Sequence, residues 1–151
     1  MSVERIVSGG QTGVDRAGLD AAMGAGISVG GWCPEGRLAE DGRIPDRYPV
    51  TELESPEYGA RTERNVVDSD ATLVLNMGKL SNGTLLTVQL AQKHRKPVLV
   101  VQLEDNPDPT AVSSWADTYG VRVLNIAGPR ESKRRGVYEL ALGFMRRLLA
   151  E

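Results

Sequence analysis

The sequence is short of the residues that most metal and nucleophile chemistry uses. Its 151 residues include one cysteine, Cys33, and one histidine, His94. A single thiol excludes an internal disulfide and an all-cysteine metal site within one chain. His94 sits in Gln92-Lys93-His94-Arg95-Lys96 at the end of a helical stretch, where basic groups complement the helix dipole, so it is read as a surface group. That leaves no Ser-His-Asp or Cys-His arrangement and no histidine-based zinc site, and the expectation is no metal ligand and no catalytic residue. No apolar run approaches the roughly 18 residues of a membrane span. The start, MSVERIVSGG, lacks a charged region followed by an apolar segment; the expectation is a cytoplasmic protein without a membrane partner. The net charge of −2, from 18 Lys+Arg against 20 Asp+Glu, gives no basic footprint for a duplex, which disfavours a nucleic-acid partner.

What is present is an ordinary globular composition, 40% apolar and 25% charged, in a length that fits one domain over residues 1–151. Val3–Ser8, Ile27–Gly31, Ala71–Asn76, Val98–Leu103 and Val121–Ala127 are short runs rich in Val, Ile and Leu. They are too continuous for half-exposed antiparallel strands. Between them, Val14–Ala25, Tyr58–Ser69, Thr84–His94, Pro109–Tyr119 and Gly136–Leu149 have helical spacing. The alternation predicts an α/β fold, a Rossmann-like three-layer α/β/α domain with a mainly parallel five-stranded sheet. The order 2-1-3-4-5 is preferred, because it sets the first and third strand-to-helix loops beside one cleft. Trp32 to Glu57, about 25 residues with four prolines and no period, is expected to be a long structureless loop at the carboxyl end of strand two.

The two loops carry the chemistry. The first reads Ser8-Gly9-Gly10-Gln11-Thr12-Gly13-Val14-Asp15 and runs straight from strand to helix. Gly9, Gly10 and Gly13 bring backbone close to a ligand, free N–H groups at the helix start attract an anion, and Gln11, Thr12 and Asp15 add polar side chains. The loop is neither G-x-G-x-x-G nor the P-loop, which disfavours NAD or ATP binding in the usual mode. A tight turn capped by Thr12 or Asp15 is the alternative. The second loop, Asn76-Met77-Gly78-Lys79-Leu80-Ser81-Asn82-Gly83-Thr84, surrounds Gly83 with Ser81, Asn82 and Thr84, and Lys79 is placed to neutralise an oxyanion.

Several further residues remain open. Arg61, Asn65 and Asp68 share one helix face, which is either solvated or turned to the cleft. Trp32 either stacks on a flat heterocycle or packs the long segment down, and Cys33 is read as a small buried hydrophobe. Glu40 and Asp41 form a carboxylate pair without assignable roles. The basic run Arg130 to Arg135 either reaches an anionic ligand or a neighbouring subunit, or is a solvated loop.

The strings GGQTGVDRAGLDAAMGAGI, GGWCPEGRLAEDGRIPDRYPV, RTERNVVDSDATLVLN, NGTLLTVQLA and KPVLVVQL, in that order over residues 5 to about 103, closely resemble the family known as "putative molybdenum carrier" proteins. That family lies in the superfamily of Rossmann-like domains named for the Smf/DprA and LOG proteins (SLOG). The resemblance implies molybdenum cofactor or another nucleotide-like, phosphate-bearing ligand, and assembly into a homo-oligomer, a dimer or tetramer. The superfamily's phosphoribohydrolases carry P-G-G-x-G-T-x-x-E, with glycines on the phosphate and a catalytic glutamate. Aligned on Gly83-Thr84, that pattern puts Asn82 before Gly83 and Thr87 at the glutamate position. The phosphate-binding part is kept and the carboxylate is not, which implies a carrier or sensor more than an enzyme. In this reading backbone N–H groups, Thr12 and Thr84 take the phosphate, Lys79 and Arg61 supply charge, and Trp32 covers the heterocycle. One alternative is a hydrolase of nucleotides or related N-glycosides using Glu40, Asp41 or Asp68. Another is a nucleic-acid-binding regulatory module.

Overall fold

Apolar runs and amphipathic stretches form strands and helices in the expected alternation. The structure, a computed structural model, describes residues 1–55, 57 and 59–151. It begins with β1 (Arg5–Val7), α1 (Val14–Gly24) and β2 (Ser28–Gly30). The long segment then forms β3 (Trp32–Pro34), β4 (Leu38–Ala39), β5 (Gly42–Arg43) and β6 (Thr51–Leu53). There follow α2 (Ala60–Val67), β7 (Ala71–Asn76), α3 (Asn82–Lys93), β8 (Val98–Gln102), α4 (Pro109–Thr118), β9 (Val123–Ala127) and α5 (Val137–Leu149). Tyr58, the expected first residue of the second helix, lies outside the described residues; the helix is formed from Ala60.

Five strands make one all-parallel sheet in the order β2-β1-β9-β7-β8. Right-handed crossovers put α1, α4 and α5 on one face and α2 and α3 on the other. The first face carries the main core. Val14, Ala17 and Ala21 of α1 and Val137, Phe144, Met145 and Leu148 of α5 close on Ile6, Leu73, Leu124 and Ile126 of the sheet. Each large buried side chain there contributes roughly 1.5–3 kcal/mol. α1 lies close because its sheet side is small: a Cβ on Gly18 would sit 2.9 Å from Ile126 Cγ2.

The sheet order corrects the expected 2-1-3-4-5. The last strand, β9, stands in the centre, between β1 and β7, so that in chain order the five core strands run 2-1-5-3-4. Alternating helices and strands leave the choice of neighbours open; side-chain bonds join β7 and β9 and the residues just before them in the order observed. Asp70 Oδ2 accepts from the backbone N–H of Arg122 and Val123 at 2.9 and 2.8 Å, and Asn125 Nδ2 donates to Thr72 Oγ1 at 3.2 Å. Read from β7 onward and around through the first residues, the same sheet does have the order 2-1-3-4-5. Strand order therefore reverses between β7 and β9, and in sheets of this kind ligands bind outside the carboxyl ends of the strands at that point.

The long segment is not structureless. β3 pairs in parallel with β6, β4 and β5 form a hairpin, and Cys33, Ile44, Tyr48 and Val50 pack with Leu19 of α1 into a second small core. Arg37, at a left-handed φ of 53°, organises it: its guanidinium donates to the carbonyls of Ile44, Pro45, Tyr48 and Val50 at 2.8–3.2 Å. Those contacts are far apart in sequence, and no local period announces them.

Candidate functional site

The β1–α1 loop is held by its own small and polar residues. Ser8 Oγ donates to the Asp15 carbonyl at 2.9 Å, and Arg16 Nε donates to the Gly10 carbonyl at 3.0 Å. Gly13 caps α1 at φ 78°, and a side chain there would overlap the Pro129 carbonyl, which accepts from Val14 N at 3.2 Å. Glycine is thus required for the loops after β1 and β9 to touch. Gly128 is required for a second reason: a Cβ there would overlap the Leu75 carbonyl of β7.

The loop before α3 ends in Ser81, whose backbone is extended in the manner of an N-cap but whose hydroxyl makes no cap bond and lies 3.2 Å from Thr84 Oγ1. The first turn's carbonyl acceptor bond runs from Leu85 N to Ser81 O at 2.8 Å. The amides of Asn82, Gly83 and Thr84 precede that bond and have no intrahelical acceptor, so they carry the positive end of the helix dipole.

These loops and the β9 loop surround a cleft of about 360 Å³ at the switch point. The charged residues on its lining are Asp15, Arg61, Arg130 and Lys133. Three cations against one carboxyl make this a positive cleft in a chain of net charge −2. Arg61 reaches over Gly9 from α2, and its Nη1 lies 4.0 Å from Asp15 Oδ2. Arg130 is shared with Glu40 at 3.7 Å. Asn125, Thr84 and Thr87 add buried polar groups. A second hollow of about 310 Å³ adjoins through Arg61, Thr62 and Gly83, with Leu53, Ala60 and Leu86 on its walls.

Asp15 is the perturbed group. Burial pushes its carboxyl up from 3.8 to about 6, against the pull of Arg61 and of backbone N–H groups at Gln11 and Gly9. Gln11 N donates to Oδ2 at 3.3 Å. Raised carboxyl pKa values of this sort in a cleft accompany functional sites more often than plain surfaces.

Of the residues singled out in the sequence, Gly9, Gln11, Asp15, Arg61, Asn65, Ser81, Asn82, Gly83 and Thr84 are brought to the cleft. Gly10, Thr12 and Gly13, expected at the ligand, lie off the lining. Gly10 abuts Ile44, and Thr12 Oγ1 accepts from Glu131 N at 3.2 Å. Gln11 is partly engaged, its Oε1 accepting from Thr12 N and from Glu40 N at 3.0 and 2.9 Å. Lys79 and Trp32 differ from expectation as well. Lys79 is exposed and off the lining, because Arg134 pins that loop by donating to the Met77 and Lys79 carbonyls at 2.8 and 3.0 Å. Trp32 is also off the lining; Nε1 donates to Asp68 at 2.9 Å and Arg64 lies over the ring at 4.5 Å. The charge expected from Lys79 is supplied by Arg130 and Lys133, of the basic run whose role the sequence left open.

The carboxylates considered for hydrolysis are engaged elsewhere. Asp41 takes both Arg16 amino groups at 2.6 and 2.8 Å, and this pairing holds its carboxyl below the usual range. Glu40 accepts from Ser132 N, and Asp68 from Trp32 and Arg64. Cys33 is buried as expected. His94, expected at the surface, is part-buried, its Nε2 2.7 Å from Glu63 Oε2, which ties α3 to α2. Sequence reasoning missed Asn125, Gly128 and Pro129 because β9 was placed at the sheet edge; with the strand order known, Gly-Pro directly after a central strand would have marked them. Among the described residues no group of three or more His, Cys, Asp or Glu could hold a metal ion, and no helix is long and apolar enough to cross a membrane.

No curated protein matches the chain. The crystal structure, at 1.45 Å, of the "Putative molybdenum carrier protein" of Syntrophus aciditrophicus SB is similar to it. The two are 41% identical, with a TM-score of 0.93 over 99% of this chain and 96% of that one. The model of the circularly permutated YpsA SLOG family matches residues 6–149, so the likeness continues through β9 and α5, beyond the motifs of the first hundred residues. A permuted ancestry agrees with a sheet whose doubly wound order appears only when the chain is read from β7. On this match, and on a relative so similar over nearly its whole length, the chain belongs to the circularly permutated YpsA SLOG family.

Proposed function

We propose that this protein binds a small phosphate-bearing molecule, of the class of the molybdenum cofactor or a nucleotide, as a carrier or sensor. One observation carries the reading: Arg61, Arg130 and Lys133 converge with the unpartnered first turn of α3 on a single cleft at the switch point. A phosphate seated there receives N–H donors from Asn82, Gly83 and Thr84, a hydroxyl from Thr84, and charge from three side chains already drawn together. Helix N-termini with free amides favour such anions. The organic remainder extends into the adjoining hollow beside Leu53, Ala60 and Leu86; cleft and hollow each fall within the usual range for small-molecule sites.

The donor set fits the phosphate end of the molybdenum cofactor. It offers no thiolate or histidine to molybdenum, so the metal would travel as cargo on the pterin without a protein ligand from this cleft. The similarity to a protein named as a molybdenum carrier supports that ligand without distinguishing it from a nucleotide.

Thermal unfolding with molybdenum cofactor, molybdate and a panel of nucleoside mono- and diphosphates tests the reading. A ligand at about 100 times its Kd adds about 2.7 kcal/mol, roughly 5–10 °C for a chain of this size. Gly83→Asp is the matched variant. A Cβ at Gly83 meets nothing within 4 Å, so the fold is kept while a carboxylate is set at the amides. The shift should vanish in that variant. No shift with any phosphate ligand, or a shift unchanged by Gly83→Asp, refutes the proposal.

A further inference from the structure

The cleft contains one feature that anion binding by itself does not explain: a buried carboxyl among the cations. Asp15 is 7% exposed and what exposure it has faces the cleft, beside Arg61 at 4.0 Å and the Gln11 N–H at 3.3 Å. A carboxylate lining the same cleft as the anion weakens the binding of any oxyanion that cannot answer it with a hydrogen. A phosphate mono- or dianion that keeps a proton has a P–OH to donate; sulfate and molybdate have none near neutral pH.

Resting on the proposed anion site, we propose that Asp15 is its specificity-determining residue, an acceptor that admits a proton-bearing oxyanion and turns away sulfate and molybdate. Two states satisfy the site. In one, Asp15 is ionised and accepts a hydrogen bond from the ligand's own P–OH. In the other, Asp15 holds the proton and donates to a bare oxygen, at the cost of protonating the carboxyl first. Above its pKa of about 6 the second state grows tenfold more costly per pH unit, so the penalty falls on oxyanions that carry no proton, sulfate and molybdate among them.

The groups facing Asp15 are basic side chains and backbone amides. Arg61 comes from α2, Arg16 from its own helix, the Gly9 and Gln11 amides from the preceding loop, and Arg130 and Lys133 line the same cleft from the β9 loop. A phosphomonoester, whose second ionisation lies near about 6, shares a single proton with Asp15, and its affinity rises as the pH falls toward that value. The site thus prefers hydrogen phosphate, and a phosphomonoester still in its monoanionic form, to free molybdate, while the phosphomonoester dianion that predominates above about pH 6 meets the same penalty as sulfate.

The experiment measures Kd of inorganic phosphate, sulfate and molybdate by calorimetry at about pH 8 and about pH 5, on either side of the Asp15 transition. Wild type, Asp15→Asn and Gly83→Asp are compared. In the wild type, phosphate should bind on the order of 10- to 100-fold tighter than sulfate or molybdate at the higher pH, and the gap should close at the lower. Asp15→Asn, which keeps an oxygen for the Gln11 N–H, should close the gap at both pH values by gaining affinity for sulfate and molybdate. A misfolded variant cannot imitate that gain. Phosphate binding that Gly83→Asp abolishes, but that shows no preference over sulfate, or a preference unchanged in Asp15→Asn, overturns the role of Asp15 and leaves the anion site standing. Absence of phosphate binding, or binding indifferent to Gly83→Asp, overturns the site and the inference together.

Discussion

The buried carboxyl that faces the cleft also carries a stability cost that can be worked out and measured. Asp15 titrates at about 6 in the folded protein against 3.8 as an ordinary carboxyl, so the native state holds its proton more tightly than the unfolded chain does. Stability from this group is fully present below about pH 4 and lost as the pH rises through about 6, by about 3 kcal/mol at 1.36 kcal/mol per unit. Asparagine resembles the protonated acid and keeps an acceptor for the Gln11 N–H. Asp15→Asn should therefore match the wild type near pH 4 and exceed it by about 3 kcal/mol at pH 8, roughly 6–12 °C in Tm. Urea unfolding in buffers free of phosphate and sulfate, from pH 4 to pH 8, measures it. A variant no more stable than the wild type at pH 8, or a difference that does not change with pH, would show that burial does not raise the Asp15 carboxyl as described. A gain would mean that a carboxylate is retained at a standing cost to the fold, as expected of a residue kept for ligand choice.

Two other substitutions probe how the cleft is built. Gly128→Ala forces a methyl onto the Leu75 carbonyl and 2.7 Å from Val14 Cγ2, where strand backbone has no room to yield. It should cost more than about 2 kcal/mol by urea unfolding; unchanged stability would mean that β7 and β9 are not so close. Arg37→Lys removes a planar donor that serves four carbonyls. Amide exchange within residues 32–53 should speed up by a factor equivalent to about 2 kcal/mol or more, while β7 and β9 amides keep their protection, and equal exchange in both proteins would refute the organising role of Arg37.

Much of the fold was legible because it follows from local rules. Continuous apolar runs such as Ala71–Asn76, buried at every residue, belong to strands covered on both faces, and the period of Val137–Leu149 belongs to a helix with one apolar side. The glycines of the two loops were legible for the same reason, since a strand that turns directly into a helix needs them. Other features joined residues far apart in the chain and had no such signal. Arg130 and Lys133 reach the cleft from a loop that reads as a solvated basic run, and Lys79, the obvious cation by sequence, is drawn off by Arg134. Trp32 follows its strand partners toward α2, where Asp68 and Arg64 hold it.

The sequence by itself determined the strands of the main sheet, the five helices and the two glycine loops, because these depend on residues within a few positions of one another. Only the tertiary structure decided which strands are neighbours. A βαβ unit has the same pattern wherever its strands stand in the sheet, whereas the central place of β9 rests on Asp70, Asn125 and the close approach at Gly128, contacts that span some 50 residues. That placement sets the switch point between β7 and β9, and with it the identity of the cations in the cleft and the burial that makes Asp15 a weak acid.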